Sequence, residues 1–230
     1  MAACSTPAAV LFDIGMTLIH PSGEVMVDEL RARGVTAVTP QRAEIAWAAA
    51  AESHHLDFPA TPTRAQHVAQ TWAQLLGQRV DLAAEAWLAS AARPDLYRDL
   101  DDDAVTVLKS LCEGGIALAA VSNSDGTLTE ELARFGLDRY FALMLDSTVV
   151  GCEKPNRKIF DVALTELGVH PAQTWFVGDG LVNDMFGAAL AGIGHPVLYD
   201  RHSVYRPPLP VPVIGTLGVL PALIEKTCAA

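Results

Sequence analysis

The stretch Leu11–Ile19, LFDIGMTLI, continues an apolar run from Ala8 and meets its first charge at Asp13. Ala8–Phe12 (AAVLF) has the pattern of a strand buried on both faces that delivers a polar residue at its carboxyl end. Moving outward, the next such strand comes only after Asp103, where helices and apolar strands begin to alternate. Val105, Leu108 and Leu111 predict a helix stopped at Gly114-Gly115, and Ile116–Val121 a strand. Leu128, Leu132 and Phe135 mark a helix ended by Gly136, and Phe141–Leu145 a strand. Ile159, Phe160, Ala163, Leu164 and Leu167 form an apolar stripe stopped at Gly168, the residue type that most readily closes a helix. Thr174–Val177 reads as a strand, Asn183–Ala191 as a helix, Pro196–Tyr199 as a strand, and Val211–Ile214 as a last short strand before a terminal helix. Pro207, Pro208, Pro210 and Pro212 favour an extended segment or edge strand there. The alternation predicts an α/β fold, a Rossmann-like, doubly wound parallel sheet with helices on both faces, whose ligands bind beyond the carboxyl ends of the strands.

Between about His20 and Pro94 the rhythm differs. The segment is Ala-rich, helical in pattern, and holds Trp47, Trp72 and Trp87, three of the four tryptophans. Thr39-Pro40, and then Thr61-Pro62 or Thr63, place a capping hydroxyl at or beside a proline suited to a first helical turn. Ala65, Val68, Ala69, Trp72, Leu75 and Leu76 follow at the spacing of an amphipathic helix, Gly77 ends it, and Asp81 caps a further helix through Trp87 and Leu88. The expected division is a core of residues 1–19 and 96–230 with an inserted helical domain over 20–95. Aromatics at helical spacing fill a core more often than a ligand site, which is the reading for the tryptophans.

The informative polar residues follow the core strands directly. Asp13 and Thr17 come after the first, Ser122 and Asn123 after the second, and Asp179 after Thr174–Val177, with Lys154 just before the helix carrying Ile159. A doubly wound sheet gathers all of these on one rim. Asp13, Asp179 and Asp184 then share a small space, and like charges so close require a cation or protonation. A hard divalent ion with oxygen ligands, magnesium rather than zinc, matches the set.

Composition restricts the alternatives. Of 230 residues half are hydrophobic and 19% charged, which excludes a disordered or collagen-like chain. Sixteen Lys and Arg against 27 Asp and Glu give a net charge of −11, opposing attraction to nucleic acid or to an anionic membrane. Cys4, Cys112, Cys152 and Cys228 form no C-x-x-C pair, so a reducing cytoplasmic compartment is expected. The amino-terminal residues do not read as a secretory signal, and no run approaches the roughly 18–20 apolar residues of a membrane span. Oligomeric state stays open.

LFDIGMTLI, AAVSNSDG (Ala119–Gly126), GCEKPNRKIF (Gly151–Phe160) and FVGDGLVNDMFGAALAG (Phe176–Gly192) resemble, in order and spacing, the four motifs of the haloacid dehalogenase (HAD) superfamily. The insert resembles the helical cap domain of many members, which closes over the strand ends and selects a small substrate. The resemblance implies catalytic roles for Asp13, as a nucleophile forming an aspartyl-phosphate, and for Lys154. It implies phosphate binding by Thr17, Ser122, Asn123 and Lys154, and magnesium binding by Asp13, the carbonyl of Gly15, Asp179 and Asp184. Members that act as phosphatases place a second acid two residues after the nucleophile; Gly15 stands there, and the missing acid/base function is worth about 10²–10⁴-fold in rate. His20 is one candidate substitute, and Arg31, Arg33, Arg42 and Arg64 are candidates for a second substrate charge. A Schiff-base phosphonatase is disfavoured, because residues 20–95 hold six arginines and no lysine. The expected function is magnesium-dependent hydrolysis of a small phosphorylated metabolite. The alternatives are a haloacid-dehalogenase-like hydrolase or a catalytically degraded HAD protein with a binding role.

Overall fold

The computed structural model describes residues 7–55, 63–206 and 208–229. The chain divides into two compact units, Met1–Leu18 with Leu100–Ala230, and Ile19–Asp99. In chain order the first unit opens with β1 (Ala9–Phe12). There follow β2 (Ile19–Pro21), α1 (Gly23–Ala32), α2 (Pro40–Ala51), α3 (Arg64–Leu76), α4 (Val80–Ala91) and β3 (Tyr97–Leu100). The remainder comprises α5 (Ala104–Glu113), β4 (Ala117–Ser122), α6 (Leu128–Arg134), β5 (Leu143–Asp146), α7 (Ser147–Val150), α8 (Arg157–Leu167) and β6 (Thr174–Gly178). It ends with α9 (Gly187–Leu190), β7 (His195–Tyr199), β8 (Val213–Ile214) and α10 (Leu220–Cys228).

The helical unit is built by local signals. Thr39 accepts a hydrogen bond from the Arg42 N–H and Pro40 occupies the first turn of α2, while Thr63 caps α3 through the Gln66 N–H. The alternative cap at Thr61-Pro62 lies outside the described residues. Gly77 takes the left-handed conformation and ends α3. Trp72 is fully buried, donates from Nε1 to the Ala43 carbonyl at 3.0 Å, and meets Trp47 edge-on, while Trp47 and Trp87 stack at 4.9 Å between centroids. Asp81 does not cap α4. The helix begins two residues earlier, with Arg79 at the cap position, and the Asp81 carboxylate in the first turn pairs with that arginine's guanidinium at 2.5 Å. The strands β2 and β3 form a two-stranded sheet that periodicity misses, because three or four residues carry too few alternations to register.

The other unit is a six-stranded sheet in the order β5-β4-β1-β6-β7-β8, with every pairing parallel. β1 lies in the middle, Phe12 level with Ala120 of β4 on one side and with Val177 of β6 on the other. The chain builds leftward through β4 and β5, then rightward through β6, β7 and β8, so the order reverses at β1. That reversal is where an open α/β sheet leaves a crevice at its carboxyl edge. Strand bounds move by one or two residues from the apolar runs, since β4 and β5 extend onto polar Ser122 and Asp146, and the predicted Val211–Ile214 shortens to the edge strand β8. Pro207 lies outside the described residues. On α5 the buried face is Ala104, Val107, Leu108 and Leu111, turned slightly from the expected stripe so that Val105 is half-buried. The segment expected as one helix over Asn183–Ala191 is a π-helical turn, Leu181–Phe186, running into α9. Among the described residues no helix is long and apolar enough to cross a membrane.

Candidate active site

The ladder of β1 and β6 continues one residue past the strand, the Asp13 N–H donating to the Val177 carbonyl at 2.9 Å. This aims Asp13 out of the carboxyl edge while leaving it 7% exposed. The chain then turns at once: the N–H groups of Thr17 and Leu18 both reach the Ile14 carbonyl. Met16, at the tip, has φ +66°, a region that side chains other than those of Gly, Asn and Asp adopt only under strain. Gly15 precedes it, half-buried. Thr17 is fully buried, and its hydroxyl lies 3.4 Å from a carboxylate oxygen of Asp179.

β6 supplies the facing wall. After Gly178 and Asp179 the π-helical turn brings Asp184 back toward the strand end, where its Oδ2 accepts the Gly180 N–H at 2.8 Å. Such turns recur at functional sites because they re-aim one side chain within a helix. The approach is so close that a Cβ on Gly178 would stand 2.5 Å from Cγ of Asp184, so only glycine fits there.

Lys154 enters from the loop before α8 and is 3% exposed. Its Nζ donates to Asp13 Oδ1 at 2.5 Å and to Asp184 Oδ1 at 2.7 Å, with the Phe176 ring 5.5 Å away. The Asn123 side chain fixes the lysine's backbone, its Oδ1 accepting the Lys154 N–H at 2.7 Å and its Nδ2 donating to the Lys154 carbonyl at 3.0 Å. Ser122 ends β4 on the same edge, buried.

The charge balance is unequal. Burial pushes the Asp13 carboxyl up to about 6, Lys154 opposes that rise, and Asp184 adds to it. For Lys154 burial works against the charge, yet the adjoining Asp13 and Asp184 carboxylates outweigh it and hold the ammonium above the ordinary lysine range. Asp13, Asp179 and Asp184 each offer an oxygen, all within 4.8 Å of one another. Three carboxylates against one ammonium leave an excess of negative charge in a buried space. A hard divalent cation fits that donor set, which is all oxygen and contains neither thiolate nor imidazole.

Of the sequence-derived residues, Asp13, Thr17, Lys154, Asp179 and Asp184 are brought together by these contacts, Ser122 shares their edge, and the Asn123 side chain is engaged with the Lys154 backbone on both of its polar ends. The remaining candidates belong to the helical unit. His20 is buried in β2, Arg31 pairs with Asp28, Arg33 with Glu29, and Arg42 donates to the Leu76 carbonyl; Arg64 opens α3. Sequence reasoning missed the loop after β7, where the Tyr205 hydroxyl donates to the Asp179 carbonyl at 2.9 Å. No periodicity or spacing marks a contact of that kind.

Comparison with known proteins identifies the family. Residues 7–192 match the family model of haloacid dehalogenase-like hydrolases. The chain is 32% identical over 198 residues to haloacid dehalogenase-like hydrolase domain-containing protein 3 of Mus musculus, covering 79% of this chain and 78% of that protein. It is 36% identical over 125 residues to a phosphoserine phosphatase of Thermus thermophilus, covering 54% of this chain and 48% of that one. Among solved structures, the magnesium-bound HAD-hydrolase YfnB of Bacillus subtilis superposes with a TM-score of 0.64 at 18% identity, over 96% of this chain and 100% of that one. A parallel sheet whose order reverses beside Asp13, and a family match spanning both of its halves, agree: the chain belongs to the haloacid dehalogenase-like hydrolases.

Proposed function

We propose that this hydrolase is a magnesium-dependent phosphatase of a small phosphorylated metabolite, acting through an aspartyl-phosphate on Asp13. The observation that carries the reading is the Lys154 ammonium held between Asp13 and Asp184 within a group of three converging carboxylates. A relative named for phosphatase activity on phosphoserine agrees with it. The division into a Rossmann-like core and an inserted helical cap is part of the same proposal.

Asp13, the Gly15 carbonyl, Asp179 and Asp184 would hold the magnesium, which when bound offsets negative charge on the transferring group. A carboxylate oxygen of Asp13 attacks phosphorus as the bond to the leaving oxygen breaks. Water then cleaves the acyl phosphate, restoring the carboxylate and releasing inorganic phosphate. Lys154 keeps Asp13 ionised near neutrality and, with the Ser122 hydroxyl, holds the phosphoryl oxygens. Thr17 braces the acidic loop, and Asn123 sets the height of Lys154. Gly15 offers no proton to the departing oxygen, so substrates with good leaving groups are favoured.

The test is phosphate release from a panel containing an alkyl phosphate, an aryl phosphate and an acyl phosphate, with magnesium or with chelator. Release is expected from the aryl and acyl members with magnesium and is lost in Asp13→Asn by at least about 10⁴-fold. Gly15→Asp should raise hydrolysis of the alkyl member by about 10²–10⁴-fold. Release that persists undiminished in Asp13→Asn, or that ignores chelator, overturns the reading.

A further inference from the structure

We propose that Tyr205 is a positioning residue for magnesium binding, acting through the backbone of Asp179; the inference rests on the metal site proposed above. Past β7 the chain folds into a closed turn around one buried carboxylate. Asp200, 8% exposed, accepts the Val204 N–H at 2.8 Å and the Tyr205 N–H at 3.0 Å, while its own N–H donates to the Ile214 carbonyl of β8. The Tyr205 ring packs against the apolar cluster that includes Phe160, Phe176 and Met185. Its hydroxyl is thereby delivered to the Asp179 carbonyl at 2.9 Å.

The consequence concerns a single peptide unit. The bond between Asp179 and Gly180 is held at both ends: its C=O accepts from Tyr205, and its N–H donates to Asp184 Oδ2 at 2.8 Å. With that unit clamped, the Asp179 Cα is held in place and the positions open to its side chain are narrowed. The Thr17 hydroxyl reaches that side chain from the opposite strand end, at 3.4 Å. The loop after β7, contributing no ligand of its own, thus sets the direction of one. Groups that orient metal ligands commonly change affinity by 10–100-fold, and one neutral hydrogen bond acting at one remove from the ligand atom should contribute about five- to tenfold.

The experiment measures magnesium affinity by calorimetry in the whole protein, comparing wild type with Tyr205→Phe, Asp200→Asn and Asp179→Asn, alongside thermal unfolding in chelator. Tyr205→Phe is expected to bind magnesium about five- to tenfold more weakly, with its metal-free melting temperature close to wild type. Asp200→Asn keeps one acceptor of two and should weaken binding by a smaller factor, the double variant binding no worse than Tyr205→Phe alone. Should Tyr205→Phe misfold, Asp200→Asn carries the test by itself. Wild-type affinity in both Tyr205→Phe and Asp200→Asn, with a clear loss in Asp179→Asn, overturns this inference and leaves the site intact. Wild type that binds no magnesium, or Asp179→Asn that binds as well as wild type, overturns the site and the inference together.

Discussion

Two groups of buried carboxylates stand along the same carboxyl edge of the sheet, and burial does not distinguish them. Asp13 and Asp184 are 7% and 2% exposed, Asp146 and Asp200 6% and 8%. Their partners do. Asp146 accepts backbone N–H groups from Gly126, Leu128 and Thr148, and Asp200 those of Val204 and Tyr205. These two are saturated by neutral donors and serve as the hubs of loops. Asp13 and Asp184 instead share one ammonium and face each other with Asp179 beside them. Crowding by its own kind thus sets one buried acid apart from another, and the lysine between Asp13 and Asp184 compensates only part of the charge.

Removing that lysine strains the comparison most. Lys154→Met should lower phosphate release by about 10²–10³-fold, and in chelator at neutral pH should cost about 3 kcal/mol of stability, because two buried carboxylates lose their counter-charge. Denaturant unfolding that shows a loss below about 1 kcal/mol would place Asp13 and Asp184 in the same class as Asp146. Asp146→Ala tests the other side. Loss of the acceptor for three N–H groups should cost about 2 kcal/mol, with the magnesium-induced rise in melting temperature retained. A variant that loses that rise would show the loop hub to be part of the site.

The smallest effect is a sign. Because the Asp13 carboxyl is raised from 3.8 to about 6, the folded chain binds its proton more tightly than the unfolded one. The corresponding stability is fully present below pH 3.8 and is lost as pH rises through about 6 in metal-free protein. Melting temperature against pH in chelator should therefore fall across that window in wild type relative to Asp13→Asn. Magnesium, which competes with the proton, should flatten the difference.

Much of this was legible in the chain itself. Strand ends were readable because an apolar run that stops at Asp13, Ser122 or Asp179 records a boundary between the interior of the sheet and its edge. Gly77, Gly136 and Gly168 mark helix ends for a similar reason: each takes a positive φ. What stayed hidden depends on contacts between distant segments. Asn123 gripping the Lys154 backbone, Asp200 closing a turn, and Tyr205 reaching the Asp179 carbonyl are hydrogen bonds to main chain, which leave no pattern in residue spacing. Asp81 misled because a helix-favouring acid fits a cap or a first turn equally well, and Arg79 decided between them. Met16 gave no warning either, since methionine is an unexpected occupant of a left-handed turn.

The central place of β1 also has a bearing on synthesis. Its neighbours are β4 and β6, so Ala9 waits for Ala117 on one side and Thr174 on the other. A ribosome that has released the first half of the chain has therefore produced Asp13 without Lys154, Asp179 or Asp184, along with an apolar strand that has no partner. Such long-range parallel pairing slows folding and leaves sticky edges exposed meanwhile. A truncated product ending before β6 would keep Lys154 but lack Asp179 and Asp184, and would leave one edge of β1 unpaired.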